Sequence, residues 1–553
     1  MSRYRLPALC LVAAVTLFRL WFLATGAWEL SPEEAQYWDW SRRLDWSYYS
    51  KGPGIAYLVA LATRLGGDSA LAIRSPAVLM GALLALLAFA LARETTGSER
   101  AAFWSVVILT AMPLYAAGGL LMTTDTPLVL CWAVAVYAVG RAAGGSRGTA
   151  WWHAAGAALA AGLLTKYTIL LLVGCLAGFL LTHPRRPALL RGRGPWIVAA
   201  WGAAGATPIL RWNWQHDWVS FRHVIGQATG GSSPWWQSAG EFLGVQAGVV
   251  SPLLLAGLVA GVLHAARRGL RARQPGPLLL FWTSGGPLLF FLLWSARAKI
   301  QGNWPAPAYL TAAIAATAWA RGHLEDADRR AARGRKALLA VGVASIILAV
   351  ALQALALAPA PVRALGTALA DLGQAPAFSA TGPHGRGAIG PRAGRLLRRA
   401  GWLLSEGIDP CKRLCGWRQL AARVSATQAA MRGAPGDAAR AGDLPFIVSD
   451  RYQLASLLAF YVEGRPRTYT ADLGARLTQY DVWGGLDAQR GRNGIFVTYG
   501  YQPLPDAVGR AFRRVEVEPR VVVMADGRLL HGFFIVRGFD FLGFPPPPGR
   551  PRY

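Results

Sequence analysis

Two adjacent carboxylates, Glu33 and Glu34, stand a few residues beyond the first long apolar run, in Trp28-Glu29-Leu30-Ser31-Pro32-Glu33-Glu34-Ala35-Gln36-Tyr37-Trp38. A carboxylate can take the proton of a hydroxyl, and one placed just outside a bilayer could do so at the membrane face. Asp125 is the third such group, in Met122-Thr123-Thr124-Asp125-Thr126-Pro127, where a short turn leads into an apolar run. Asp with Pro two residues later is also an ordinary helix start, but an acid at a membrane boundary on the same side as Glu33 favours chemistry. Cations near the same boundary are Lys51, Lys166, Arg297 and Lys299, the last two just ahead of Gly302-Asn303-Trp304-Pro305. Lys and Arg hold phosphate, although at a boundary they also serve as snorkelling anchors. Tyr48 and Trp304 are aromatic candidates for lining a substrate site, whereas Asp217 and His223 read as structural.

The elements that must position these groups are membrane spans. The 553 residues are 54% hydrophobic and 16% charged, and several apolar runs exceed the roughly 18 residues that a spanning helix needs. Residues 6–27 could be a signal peptide, but the run is long, carries Arg19 and lacks a convincing cleavage site, so it reads as a retained first span. The net charge of +28 would suggest nucleic acid in a soluble chain. Here the basic clusters Arg3–Arg5, Arg141–Arg147, Arg185–Arg193, Arg267–Arg273 and Arg329–Lys336 fall between apolar runs, the positive-inside pattern, and no nucleic-acid partner is expected.

About eleven spans are expected, near 6–27, 69–93, 101–118, 124–141, 150–164, 167–182, 194–211, 241–264, 276–294, 304–320 and 336–358. With the N-terminus cytoplasmic, all the candidate residues and the C-terminal part face the periplasmic side of a bacterial inner membrane. Residues 1–358 are thus read as a membrane domain, with 28–68 as its catalytic outer loop. Within that loop 54–65 is apolar but too short to span, which suggests an interfacial helix flanked by Trp40, Trp46, Tyr48 and Tyr49 at headgroup level.

Residues 359–442 read as linker and periplasmic segment, with Pro/Gly/Ala-rich sequence to about 393. A small α/β domain is expected over 443–543. Its strands fall at Phe446–Val448, Ile495–Tyr499, Val521–Met524 and Phe533–Val536, with a helix at Tyr452–Tyr461 and a turn at Ala525-Asp526-Gly527. A Pro-rich tail covers 544–553. Of five cysteines, Cys411 and Cys415 lie where disulfides are permitted, and a bridge between them is an open alternative.

The segments together resemble a family. Pro32-Glu33-Glu34-Ala35-Gln36-Tyr37-Trp38-Asp39-Trp40-Ser41-Arg42 and Tyr48-Tyr49-Ser50-Lys51-Gly52-Pro53 are similar to the first outer loop of the family 39-like glycosyltransferases. These are relatives of protein O-mannosyltransferases and of the lipid A aminoarabinose transferase. Thr124-Asp125-Thr126-Pro127, Thr165-Lys166-Tyr167, Trp212-Asn213-Trp214-Gln215-His216-Asp217-Trp218 and Asn303-Trp304-Pro305-Ala306-Pro307 look like its later markers, in the same order.

The resemblance implies a GT-C fold, an all-α membrane bundle with a small extracytoplasmic α/β domain. It also implies an inverting transferase that takes sugar from a polyprenyl phosphate. The acceptor would be a glycan, lipid or protein. The family's loop pair is commonly Asp-Glu with the Asp as base, and Glu33 stands at that position. Glu34 or Asp125 could share or replace the role. Tyr48, Lys51, Lys166, Arg297, Lys299 and Trp304 are the expected binding residues. No cofactor is certain and metal dependence is left open: Glu33, Glu34 and Asp125 could hold a divalent ion, but no spacing demands one. The alternative is a transporter or flippase of a lipid-linked sugar, which would be expected to show internal repeats and midplane charges that this chain does not display.

Overall fold

The computed structural model describes all residues except 1–2, 146–147, 230–233, 326–330, 358–359, 373, 375–390, 403–408, 433–443, 475, 501–502, 526–527 and 547–553. It is a mostly helical bundle with a small C-terminal sheet. By length and composition, six of the described helices could cross a membrane: Arg5–Ala24, Ala70–Thr96, Asp125–Ala143, Pro252–Arg271, Pro275–Ser295 and Leu339–Leu357. The other expected spans coincide with helices that are shorter or less apolar, such as Ala150–Thr165, Gly194–Gln215 and Ala306–Glu325.

Two expected spans are interrupted. The run at 101–118 breaks at Met112, because Pro113 disfavours helical backbone in the residue before it; Met112 is extended and a new helix starts, Pro113–Gly118. The run at 241–264 breaks at Ser251 (φ 91), between helices Trp235–Val250 and Pro252–Ala266.

The first outer loop is more ordered than its composition suggests. It holds a ten-residue helix, Pro32–Ser41, and a second helix, Gly54–Gly66, that buries Ile55, Ala56, Val59 and Ala60 and exposes Tyr57, Leu61 and Leu65. The aromatics expected at headgroup level divide. Trp46 is exposed, but Trp40 and Tyr48 are fully buried and stacked on each other at 4.4 Å.

The stretch read as linker contains a helix, Ala360–Leu372, while most of 375–390 lies outside the described residues. Cys411 and Cys415 form a disulfide. The sheet has the order β2-β1-β3-β6-β4, with β5 also on β6. Its strands are β1 (Phe446–Ser449), β2 (Thr468–Thr470), β3 (Gly494–Tyr499), β4 (Phe512–Val517), β5 (Val521–Ala525) and β6 (Arg528–Phe541). β1 pairs in parallel with β2 and β3, and β6 runs antiparallel to β3, β4 and β5. β2 and β4 were not expected from sequence: β2 is only three residues long, and β4 is mostly exposed and carries Arg513, Arg514 and Glu516 without an apolar alternation. The turn expected at Ala525-Asp526-Gly527 and the tail from 547 fall largely on residues outside those described.

The sheet does not stand apart from the outer loop. Leu30, Trp38, Trp40 and Tyr48 share one apolar core with Trp417, Leu454, Leu457, Phe460, Ile495 and Phe533. Trp38 meets Phe460 edge-on at 4.9 Å, the Tyr461 hydroxyl accepts from the Leu30 amide at 2.7 Å, and Ser456 Oγ donates to the Pro32 carbonyl at 3.1 Å. The loop is thereby held between the bundle and the sheet.

Candidate active site

Ser31 opens the Pro32–Ser41 helix with a capping box: its hydroxyl accepts from the Glu34 amide, and the Glu34 carboxylate accepts from the Ser31 amide at 2.9 Å. A helix turns about 100° per residue, so Glu33 and Glu34 point in different directions. Glu34 is fully buried. Its oxygens receive two 2.7 Å bonds from Arg74, one from Nε and one from Nη2, and a 2.9 Å bond from the Met122 amide. Burial alone would raise its pKa, but the Arg74 charge and these bonds outweigh that and hold it below the usual value. Glu34 therefore ties the outer loop to the Ala70–Thr96 helix and to the turn before Asp125. Glu33 keeps a third of its side chain exposed and pairs through Oε1 with Arg413 at 2.5 Å.

Asp125 is 9% exposed. Its Oδ1 accepts from Lys166 Nζ at 2.6 Å and its Oδ2 from Asn303 Nδ2 at 2.6 Å. Three distant segments meet at this carboxylate. Lys51 is brought beside them by Gly52: a Cβ there would collide with the Leu164 carbonyl, so only glycine lets the loop rest on the end of the Ala150–Thr165 helix. The half-buried Lys51 ammonium makes no hydrogen bond or ion pair with any described residue. Burial first, and then the Lys166 charge, push its pKa down to about 8, against the pull of Asp125 and Glu33. Tyr37 is buried near both Glu33 and Asp125, and that burial with the two charges keeps its phenol protonated.

Several members of this cluster were not singled out from the sequence. Arg413 reaches Glu33 across a separation of 380 residues, and no local pattern marks it. Arg476 faces Lys51, His223 and Tyr452. Its segment docks on the outer loop, where Leu477 packs against Tyr49 and Gln479 accepts from the Tyr49 amide at 2.6 Å. Asn303 did lie in a noted motif, Asn303-Trp304-Pro305. Its amide, rather than the Trp304 ring, is what reaches Asp125. The His223 ring packs against Tyr49 at 4.7 Å, tilted by 44°, and burial lowers its pKa to about 4, with Arg476 and Lys51 adding to the effect.

Other expected residues fall elsewhere. The Tyr48 hydroxyl is spent on the Trp40 and Arg43 carbonyls and its ring is fully buried, so it builds the loop rather than facing a ligand. Arg297 and Lys299 are exposed and bond to none of Asp125, Lys166 or Lys51. Trp304 packs in an apolar group with Phe242, Phe291 and Ile300. Asp217 is exposed, on a turn with φ 51. Among the described residues no three His, Cys, Asp or Glu side chains converge as a metal site, and the oxygens of Glu34 are already occupied.

The comparisons with known proteins agree with this architecture. Residues 50–212 match the family described as dolichyl-phosphate-mannose-protein mannosyltransferase. Over 320 residues the chain is 32% identical to the lipid A galacturonosyltransferase RgtD of Rhizobium johnstonii, covering 56% of this chain and 64% of that one. The alignment thus spans just under two thirds of that relative. The fold is similar to ArnT from Cupriavidus metallidurans, with TM-score 0.57, 16% identity and coverage of 95% and 97% of the two chains. It is similar also to ArnT bound to undecaprenyl phosphate, with TM-score 0.56, 17% identity and the same coverage. By sequence and by fold, then, the chain is similar to the GT-C glycosyltransferases.

Proposed function

We propose that the chain is an integral membrane glycosyltransferase. It moves a sugar from a polyprenyl-phosphate donor to an acceptor on the periplasmic side of the inner membrane, with inversion. The observation that carries this reading is Lys51, an unpaired ammonium beside the Asp125–Lys166 pair and within the field of Glu33. An uncompensated, half-buried cation next to a carboxylate with a free oxygen suits a phosphate leaving group and a hydroxyl to be deprotonated.

In this reading the acceptor oxygen attacks the anomeric carbon opposite the phosphate and its proton passes to Glu33 Oε2. The bond from the anomeric carbon to the phosphate oxygen breaks, and the electron pair leaves with the phosphate. Lys51 holds the charge that develops there, with Arg476 above it. Attack from the opposite face inverts the centre. Glu34 acts as a positioning residue, and the Asp125–Lys166–Asn303 group fixes the floor of the site. The likeness to RgtD, which is named for lipid A, favours a glycolipid acceptor over a protein.

The test uses purified protein in lipid nanodiscs, wild type beside Glu33→Gln, with polyprenyl-phosphate sugars and envelope glycolipids. Release of polyprenyl phosphate is followed by mass spectrometry. Acceptor-dependent release that disappears in the variant is the expected result. In sealed proteoliposomes, intact donor moved across the bilayer without release would replace the transferase by a transporter.

A further inference from the structure

Two helices that follow the last candidate span take no part in the site described above. The span Leu339–Leu357 ends just before the Ala360–Leu372 helix begins. The chain between Leu357 and Ala360 reaches at most about 11 Å, so this helix starts beside the membrane boundary. The Pro391–Trp402 helix packs against it. Two bonds brace the pair from the protein side. Arg528 Nη2, on β6, donates to Thr367 Oγ1 at 2.8 Å, and Arg363 Nη1 donates to Asp409 Oδ2 at 3.0 Å.

The open faces of the pair carry a pattern of their own. A helix advances about 100° per residue, so Leu365, Ala368 and Leu372 form one stripe along the first helix. All three are exposed, whereas Arg363 and Gly366 on the other side are buried. The second helix carries four arginines and no acid. Arg395, Arg398 and Arg399 are exposed on it, and so are Leu396 and Trp402. Leu365, Leu372, Leu396 and Trp402 each keep half or more of their surface open.

Apolar area bordered by cations marks a surface that something covers. Charge and position decide what that is. Asp371 is the single acid of the two helices and Arg363 is spent on Asp409, so the open face is cationic and its partner must be anionic. The partner must also offer an apolar layer beneath its charges, within about 11 Å of the span's end. A bilayer containing anionic phospholipid meets all three conditions, and basic amphipathic helices with Leu and Trp bind one in this way.

We propose that this helix pair docks on anionic phospholipid headgroups beside the span. Leu365, Ala368 and Leu372 lie at the boundary of headgroup and acyl chain, and Arg395, Arg398 and Arg399 hold the phosphates. The inference goes beyond the transferase reading and stands whether or not sugar is moved. Docking also steadies the C-terminal part. Asp409, which Arg363 holds, accepts from the Cys411 amide at 3.0 Å, and the disulfide-closed loop that follows carries Arg413 to Glu33.

The test uses full-length protein in nanodiscs of phosphatidylcholine alone, or of phosphatidylcholine and phosphatidylglycerol in equal parts. Hydrogen exchange of peptides covering 360–372 and 391–402 is read by mass spectrometry. Exchange over 391–402 should be roughly tenfold slower in the anionic discs, because each Arg near such a surface is worth about fivefold in an equilibrium constant. Salt at about 1 M, where the Debye length is about 3 Å, should abolish the difference. Arg395→Gln with Arg399→Gln should abolish it too. Arg395→Lys with Arg399→Lys should retain it, which separates lost charge from a folding defect. Leu365→Ser with Leu372→Ser should speed exchange over 360–372 in the anionic discs.

Equal exchange in the two kinds of disc would overturn the proposal, fast if the face is open to water and slow if a protein segment covers it. A slowing that the paired Gln variant keeps would overturn it as well, and would assign the cover to this chain or to a second copy. An unchanged rate over 360–372 in the paired Ser variant would remove the apolar stripe from the bilayer.

Discussion

On the side of the Pro32–Ser41 helix that meets the Ala70–Thr96 helix, Glu34 is fully buried and bonded by Arg74, Ser31 and Met122. On the side that meets Arg413, Glu33 is a third exposed and bonded through a single oxygen. The two residues are identical in type and adjacent in sequence, yet the fold gives them opposite surroundings. Removing a carboxylate from water is expensive, and the cost is recovered only when nearly every lone pair is satisfied. A saturated carboxylate of this kind holds structure and has nothing left for a substrate. A partly solvated one with a free oxygen can still accept a proton. The same contrast separates Asp125, whose oxygens are both taken, from Lys51, whose ammonium is not.

The sharpest way to break the comparison is to remove one charge at a time. Glu33→Gln should lower turnover by about 10²–10⁴-fold, the usual worth of a general base, with donor KM and thermal midpoint nearly unchanged. A parallel loss of stability would erase the distinction between the two positions. Glu34→Gln should instead cost about 3–5 kcal/mol in chemical denaturation, because it strands Arg74 in a buried site. Glu34→Leu combined with Arg74→Met should recover most of that loss, since apolar pairs of similar volume often replace buried ion pairs at little cost.

A smaller effect concerns Lys51. With its pKa pushed down to about 8, the charge that the proposed phosphate contact requires is present at neutral pH and is lost as pH rises through that value. The kcat/KM for donor should therefore fall about tenfold per pH unit on the alkaline side. Lys51→Arg should push that limb beyond the measurable range; an unchanged limb would assign it to another group. The smallest effect lies in the sheet, at His531, which is buried and stacked on Trp417 at 4.7 Å. Burial, aided by Lys412, lowers its pKa to about 4, so the unfolded chain, with a value near 6.5, takes up the proton first. Stability should decline as pH falls from about 6.5 to 4, by up to about 1.4 kcal/mol per unit. His531→Phe should flatten that part of the thermal-midpoint profile.

Much of the bundle was legible because bilayer physics writes it in long apolar runs and in the Arg-rich loops between them. Its interruptions were less so. Pro113 announces a break, but Ser251 at positive φ carries no local mark. In the outer loop the Ser31-Pro32-Glu33-Glu34 stretch is a capping box in plain sight. The aromatic density between Tyr37 and Tyr49 suggests a headgroup belt, whereas Trp38, Trp40 and Tyr48 are core shared with the sheet. Tyr48 was expected at a ligand and instead spends its hydroxyl on two backbone carbonyls.

The sequence by itself determined that the chain is built for a membrane and that its candidate acids and cations stand at the boundaries of apolar runs. It also determined the order of motifs that resembles the GT-C transferases. These are properties of composition and spacing, and each can be read within a window of a few tens of residues. Only the tertiary structure decided that Glu34 is locked by Arg74 while Glu33 stays open, and that Asn303 completes the hold on Asp125. It alone brought Arg413 and Arg476 to the loop. Those facts depend on which groups lose their water together, and burial is set by contacts between segments from 40 to 380 residues apart.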